Sequence, residues 1–221
     1  MSEAIRPALR RRPLPYDAHA ARRYLSRADP VMREIVRRVG PFELEVRGHP
    51  YQSLLRAVLY QQLAGAAAAA IERRFLRLYR GRVPEPHELI ATSPEELRSA
   101  GLSRQKISYF YSLAEHAAAG QLELRRLARA SDDAVIEAVT SVHGIGRWTA
   151  DMLLMFCLGR PDVLPVGDLG VQRMMREAYG LKSMPDAKRM LKIAEPWRPY
   201  RSAGAWYLWR FGDVITSDIT L

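Results

Sequence analysis

The 221-residue sequence predicts an all-α fold. Apolar residues recur at the three- and four-residue spacing of amphipathic helices through most of the chain. Helix-capping signals bound several of these segments, most clearly at Ser93-Pro94-Glu95-Glu96, which has the form of a capping box. Only residues 41–47 alternate as a strand does, and one strand cannot form a sheet. The predicted helices are, approximately, 17–27, 30–39, 50–63, 65–80, 86–91, 94–100, 103–119, 132–141, 147–158, 168–179, 185–195 and 199–216.

The composition indicates a globular protein that binds a polyanion. Lysine and arginine outnumber aspartate and glutamate by 34 to 24, which gives a formal net charge of +10. Such an excess favours nucleic acid over a membrane surface as partner, although a merely basic soluble protein explains the charge equally well. No stretch is long and apolar enough to span a bilayer. We expect a cytoplasmic protein, associated with the nucleoid if its source is a bacterium.

The single cysteine excludes two kinds of site. Cys157 has no second thiol with which to form an internal disulfide, and the chain cannot build a four-thiolate zinc or iron–sulfur site. It lies in an apolar helical run, so we expect an inert, buried thiol.

The N-terminal residues 1–15 combine arginine and proline without periodicity, which predicts a basic, flexible tail. Its Arg10, Arg11 and Arg12 could contact phosphates, but a solvated tail is the simpler interpretation.

A glycine-containing turn between two helices is the most informative segment. One helix is predicted to end near Ser141, and another begins near Gly146 after His143-Gly144-Ile145. Backbone N–H groups at the start of the second helix would form an anion site suited to a DNA phosphate. A plain corner between two helices explains the turn about as well.

A second signal follows about twenty residues later. Asp168 comes after the rigid loop Leu164-Pro165-Val166-Gly167 and opens a helix that should direct Val171, Met174 and Met175 inward. Taken alone, an aspartate at this place is most simply an N-cap.

The hairpin, the proline-containing loop and the aspartate together resemble the helix-hairpin-helix (HhH-GPD) superfamily of DNA glycosylases, and within it the 3-methyladenine DNA glycosylase II group. Residues 54–70, 93–106 and 195–210 also match that group, so the resemblance runs from about residue 50 to residue 210. The motif itself occupies about 132–158. The β-rich N-terminal domain of the larger bacterial members has no counterpart in this sequence.

The resemblance implies two helical lobes that flank a DNA-binding cleft within a single domain, 16–221. One lobe would comprise about 16–50 and 161–221, and the other about 51–160. It further implies that Asp168 is the catalytic carboxylate, which stabilises an oxocarbenium-like sugar and orients or deprotonates the attacking water. The implied substrate is double-stranded DNA with alkylated bases of the 3-methyladenine or 7-methylguanine type, and the product is an abasic site.

The resemblance also implies a monofunctional enzyme. Trp148 stands where the members that cut the DNA strand carry a lysine, and an indole cannot form the Schiff base of a lyase. No cofactor would be required. Related hairpins hold a structural Na⁺ or K⁺ through backbone carbonyls, which correspond here to the region of Val142 and Ile145.

The remaining site residues are likewise assigned by the resemblance. Trp148, Trp209, Met152 and Leu169 correspond to the base pocket, where Met152 and Leu169 replace aromatic residues of larger members. For Trp148 a pocket role is favoured over a core role, whereas for Trp209 the two are equally supported. Gln62 and Leu63 occupy the position of the wedge that enters the DNA, with a core position equally open for Leu63. The residues expected to bind phosphate are His143, Gly144, Gly146, Arg147 and Thr149, with Lys106 and Arg201 as neighbours. A single basic side chain on a surface is more often solvated, and that alternative stays open for Arg147, Lys106 and Arg201.

Three other functions compete with this one. A non-catalytic helix-hairpin-helix module would explain the charge and the hairpin, but not Asp168 together with Trp148 and Trp209. A glycosylase of the same fold could act on mismatched or oxidised bases. A helix-turn-helix regulator would need a polar recognition helix, for which no convincing candidate is present. We expect a monomer in each case.

Overall fold

The computed structural model describes residues 11–61, 63 and 65–219. The predicted all-α fold is confirmed. The α-helices are α1 (Ala18–Ala28), α2 (Pro30–Val39), α3 (Pro50–Tyr60), α4 (Gly65–Leu78), α5 (Pro86–Ala91), α6 (Pro94–Ser99), α7 (Arg104–Ala118), α8 (Leu124–Arg129), α9 (Asp132–Thr140), α10 (Arg147–Leu153), α11 (Leu169–Ala178), α12 (Ala187–Ile193) and α13 (Arg201–Ile219). A π-helical turn (Leu154–Leu158), a 3₁₀ turn (Glu195–Trp197) and two paired strands, β1 (Arg11–Arg12) and β2 (Val46–Arg47), complete the described elements.

The structure differs from the sequence prediction in several elements. Arg11 and Arg12, which belong to the predicted flexible tail 1–15, form β1 and pair with β2, while residues 1–10 of that tail lie outside the described residues. The alternating residues 41–47 form a strand only at Val46–Arg47. Helix α8 was not predicted, because a six-residue segment with three arginines is too short to show a helical repeat. The helix predicted over 147–158 changes to a π-helix at Leu154, which hydrophobic spacing does not reveal.

The structure consists of two compact units. Within the described residues, the first, here called the hairpin unit, comprises Arg11 and residues 47–153, and the second, the aspartate unit, comprises residues 12–46 and 154–219. Their boundaries lie at 46/47 and 153/154, whereas the sequence suggested about 50/51 and 160/161.

The core of the hairpin unit lies between α3 and α7. Leu54, Leu55 and Val58 of α3 and Phe110 and Leu113 of α7 are all buried. Helix α10 also packs against α3, and α9 packs against α10, so the two helices of the hairpin rest on this core. Burial of these apolar side chains supplies the main stabilising free energy of the unit.

In the aspartate unit, α13 packs against both α2 and α11. Val171 and Met175 of α11 point inward as predicted, whereas Met174 is only half-buried and lies against Gly212 of α13. Cys157, as predicted, is buried. In the described part of the chain, no helix combines the length and the hydropathy that a membrane span requires.

A buried carboxylate links three elements of the aspartate unit. Asp29 caps α2 by accepting the backbone N–H of Val31 at 2.8 Å. Its second oxygen accepts the Tyr179 hydroxyl at 2.5 Å, beyond the end of α11, and the indole N–H of Trp197 at 2.9 Å. Because each donor satisfies an otherwise costly buried polar group, this cluster helps to fix α11, the helix that Asp168 begins.

Candidate active site

One side of the hairpin turn packs against the protein, and the other side is exposed. Buried Val142 and Ile145 anchor it, and the N–H of Ile145 donates to the Val142 carbonyl at 3.1 Å. Gly144 adopts φ 85°, and a Cβ there would lie 2.2 Å from the ring of Tyr109 on α7. Gly146 is exposed, and a Cβ at that position would meet nothing within 4 Å. The turn therefore needs a glycine for packing at 144, while position 146 leaves room for an external group.

The predicted phosphate-binding residues of the hairpin differ in accessibility. His143 is exposed, but its backbone N–H donates to the Ser112 hydroxyl at 3.1 Å. A phosphate would therefore have to bind its side chain rather than its backbone N–H. Thr149 is 3% exposed, and its hydroxyl cannot reach a ligand without rearrangement. The helical turn directs residue 149 inward, which rules out a phosphate contact by the Thr149 side chain, whereas a contact through its backbone stays a prediction.

Arg147 is the accessible cation of the hairpin. Its side chain is 63% exposed, and its Nε donates to Asp151 Oδ1 at 2.9 Å. Asp151 is buried; this burial raises the pKa of its carboxyl group, and Arg147 partly opposes the rise. Sequence reasoning missed Asp151, although the Arg-to-Asp spacing of four residues on one helix was available as a signal.

Two predicted phosphate neighbours are engaged elsewhere. Arg201 is 9% exposed and forms a two-pronged ion pair with Asp162, with N–O distances of 2.7 and 3.0 Å. The ammonium of Lys106 donates to the carbonyls of Leu59 and Gln61. The prediction for Arg201 is therefore wrong, because the sequence does not show which acceptors the fold places around a side chain. For Lys106, the two bonds to backbone carbonyls favour a structural role over a phosphate contact.

The predicted wedge lies between α3 and α4. Leu63 is 36% exposed, so the alternative that it is an ordinary core residue is wrong. Gln62, the other predicted wedge residue, lies outside the described residues.

Asp168 sits at the N-cap of α11, in the aspartate unit. Its Oδ1 accepts the N–H of Val171 at 2.8 Å and the indole N–H of Trp209 at 2.9 Å. The preceding loop is held in place because the Asp168 N–H donates to the Pro165 carbonyl and the Gln172 side chain donates to the Val166 carbonyl. Asp168 is half-buried, and the two hydrogen bonds to Oδ1 orient its carboxylate.

Trp209 and its neighbours complete this part of the site. The indole is half-buried and lies tilted against the ring of Phe156, with centroids 5.7 Å apart. A Cβ at Gly170 would lie 3.1 Å from Asp168 Oδ1 and 3.3 Å from the indole, so the absence of a side chain there allows the bond. Phe156 and Gly170 were both missed; the sequence Asp-Leu-Gly at a helix start was the only signal for the latter.

The other predicted pocket residues are accessible to different degrees. Leu169, beside Asp168, is 60% exposed. In the hairpin unit, Trp148 is 44% exposed, which excludes a core role, and Met152 is half-buried. The aspartate unit therefore brings together Asp168, Leu169 and Trp209, and the hairpin unit carries Trp148 and Met152.

The structure thus contains the two features that carry the family resemblance, a helical hairpin with an accessible turn and, later in the chain, an oriented aspartate at a helix start. Residues 55–199 match the HhH-GPD superfamily of base excision DNA repair proteins, and the chain belongs to this superfamily.

The similar proteins include enzymes of one named activity. DNA-3-methyladenine glycosylase 1 of Schizosaccharomyces pombe is 38% identical over 192 residues, which cover 85% of this chain and 84% of the relative. The solved structure of the S. pombe 3-methyladenine DNA glycosylase Mag1 in complex with abasic DNA superposes with a TM-score of 0.78 at 37% identity, over 86% of this chain and 95% of that one. A DNA-3-methyladenine glycosidase from Bacillus halodurans gives a TM-score of 0.82 at 34% identity, over 95% of both chains. The predicted family is confirmed.

Proposed function

We propose that this protein is a monofunctional DNA glycosylase that removes alkylated bases from double-stranded DNA. The observation that carries the proposal is the carboxylate of Asp168, which Val171 and Trp209 orient at the start of α11. The names of the related enzymes point to the same substrate class.

An oriented carboxylate suits the chemistry of base release. The bond between C1′ and the base nitrogen breaks, and both bonding electrons leave with the base. The sugar becomes oxocarbenium-like, and a carboxylate beside C1′ stabilises that charge without having to reorganise. Water then adds its oxygen to C1′ and gives one proton to Asp168. A base alkylated on its ring is already cationic and leaves as a neutral molecule, so the step does not need a strong general acid.

The tryptophans support recognition of a cationic base. The target has to leave the stacked duplex before Asp168 can act on it. Trp148 and Trp209 offer indole faces, which attract a cation by about 0.5–2 kcal/mol. By the family resemblance we assign Met152 and Leu169, like the two tryptophans, to recognition of the base. Leu63, with Gln62, is assigned to the place in the duplex that the base leaves.

Trp148 also bears on what happens after base release. It stands in the first turn of α10, where strand-cutting members carry the lysine that forms an imine with the sugar. An indole has no amine for this step, so the reaction should end at an abasic site with an intact strand.

The hairpin should hold the DNA backbone through His143, Gly144, Gly146, Arg147 and the N–H groups at the start of α10. The hairpin can also take a monovalent cation. The Val142 carbonyl accepts one N–H and retains a second lone pair, so the residues fit such an ion, with Ile145 as the expected second contributor. Bound there, the ion would stabilise the turn and attract a phosphate.

Product analysis tests the proposal. Duplex DNA treated with a methylating agent is incubated with the protein, and the released bases and the strand length are measured. We expect free methylated purines and strands that stay intact until alkali is added. Strand cleavage without alkali, with an enzyme–DNA adduct trapped by borohydride, would contradict monofunctional chemistry. No base release, with salt-sensitive binding retained, would instead indicate a non-catalytic binding module.

A further inference from the structure

One lysine of α7 binds the end of α3. Lys106 directs its ammonium to the carbonyls of Leu59 and Gln61, where α3 ends. The last turn of α3 contains no basic residue of its own, so Lys106 supplies the positive charge that the carbonyl end of a helix favours. Its partial burial lowers the pKa of Lys106, as expected for an amine held against packed helices.

Gln61 joins the same helix end to the hairpin. Its side-chain Nε2 donates to the Gly144 carbonyl at 3.1 Å, although the two residues are 83 positions apart. Its backbone N–H still donates to the Ala57 carbonyl at 3.1 Å, while its ψ of 131° turns the chain out of the helix. Gln61 therefore ties the chain to the hairpin two positions before exposed Leu63, whose N–H donates back to the Tyr60 carbonyl at 3.3 Å.

Helix α7 holds the hairpin as well. The ring of Tyr109 lies under Gly144 and meets the ring of His143 edge-on, with centroids 4.8 Å apart. One turn later, Ser112 accepts the N–H of His143. Helix α7 thus binds the end of α3 through Lys106 and the hairpin turn through Tyr109 and Ser112.

The other side of the α3–α4 connection is also fixed. The Tyr60 hydroxyl donates to Glu72 of α4 at 2.6 Å, and Arg56 pairs with the same carboxylate at 3.1 Å. The Arg56 guanidinium lies 4.4 Å from the centre of the Tyr60 ring. The chain on each side of Leu63 is therefore tied to packed helices.

We propose that Lys106 and Gln61 are positioning residues that hold Leu63 in a fixed place relative to the hairpin, so that phosphate binding by the hairpin and insertion of Leu63 into the duplex occur together. Loss of either residue should leave the hairpin's contact with DNA intact and uncouple insertion from it. This inference rests on the DNA binding in the proposed function and not on its chemistry.

The test separates binding from insertion without any base release. One DNA carries an abasic-site analogue with 2-aminopurine opposite, so that insertion is read as a change in fluorescence, and an undamaged duplex reports general binding. We expect Lys106→Met and Gln61→Met to bind the undamaged duplex within about twofold of wild type. They should lose about tenfold in preference for the abasic analogue, together with most of the fluorescence change.

Four variants make the outcome specific. Lys106→Arg, which can still donate to two carbonyls, should restore most of the preference, and Lys182→Met, an exposed lysine in the aspartate unit, should behave as wild type. Leu63→Ala should show the same loss, and adding Lys106→Met to it should cost little more, because both changes remove one event.

Two results would overturn the inference. One is equal loss of binding to both DNAs, and the other is full additivity of Lys106→Met and Leu63→Ala. If Lys106→Met does not fold, as judged by its thermal transition, Gln61→Met decides the question. Because no base release is measured, absence of glycosylase activity would contradict the proposed function and leave this result unaffected.

Discussion

At the scale of single residues, the arrangement of Asp168 and Trp209 carries the proposed chemistry. Two donors on one oxygen restrict rotation of the carboxylate. A fixed carboxylate stabilises the developing positive charge more than one that first has to reorient. The Val171 N–H belongs to the ordinary capping of α11. The Trp209 N–H is additional, since capping does not require it.

Replacing Trp209 by phenylalanine should slow base release while keeping an aromatic ring against Phe156. A hydrogen bond to a charged group is worth roughly 1.5–3 kcal/mol, so a rate loss of about 10- to 100-fold is expected in a single-turnover assay. Trp206→Phe, three residues earlier on α13 and buried against Phe42, is the matched control, which should lose stability but little rate. Equal rates for the two variants would argue against a role for the indole N–H.

The sequence could identify Asp168 because a local loop and a local helix start define its place. It could not reveal the bond from Trp209, which lies 41 residues away and depends on how α13 packs on α11. Arg201 was misassigned for the same reason. Its partner, Asp162, is 39 residues distant, and charge alone does not distinguish a buried ion pair from an exposed phosphate ligand.

At the scale of elements, the hairpin turn packs on α7 and leaves the first residues of α10, Arg147 and Trp148, exposed. Its position was predictable, because two glycines between helical segments indicate a turn. The role of α7 was not, since Tyr109, Ser112 and Lys106 are far from the turn in sequence. The π-turn after α10 was missed because hydrophobic residues continue through it without interruption.

Replacement by alanine should affect the free energy of unfolding differently at the two glycines of the hairpin. At Gly144, a Cβ would overlap the Tyr109 ring, and the positive φ adds backbone strain, so we expect a loss of about 2–4 kcal/mol in the free energy of unfolding. Gly146→Ala meets no neighbour and should change stability by about 0.5 kcal/mol or less, while weakening DNA binding. Urea denaturation measures both. A Gly144→Ala protein as stable as Gly146→Ala would mean that the turn does not pack as described.

At the scale of the whole molecule, the net charge of +10 is the property that the sequence determined outright. Fold class and family also followed from the sequence, because helical spacing and several ordered motifs extend over most of the chain. The bounds of the two units did not, since they depend on contacts between residues 12–46 and the C-terminal helices.

Binding to undamaged duplex DNA should weaken steeply with salt, because bound cations are released when the protein neutralises phosphates. Three neutralised phosphates would lower the association constant about 40-fold between 50 and 200 mM monovalent salt. Fluorescence anisotropy of a labelled duplex measures the slope of the logarithm of the association constant against the logarithm of salt concentration. Arg147→Met should reduce this slope by the contribution of roughly one phosphate. A slope near zero would show that the positive charge is not used for DNA.

The most direct test of the central claim is base release from methylated duplex DNA by wild type and Asp168→Asn at equal concentration. Asparagine caps a helix as well as aspartate does and can still accept the Trp209 N–H, so the variant should fold and bind DNA normally. It lacks the negative charge, and we predict a rate loss of about 1,000-fold or more. Release at the wild-type rate by Asp168→Asn would contradict the assignment of Asp168 as the catalytic carboxylate.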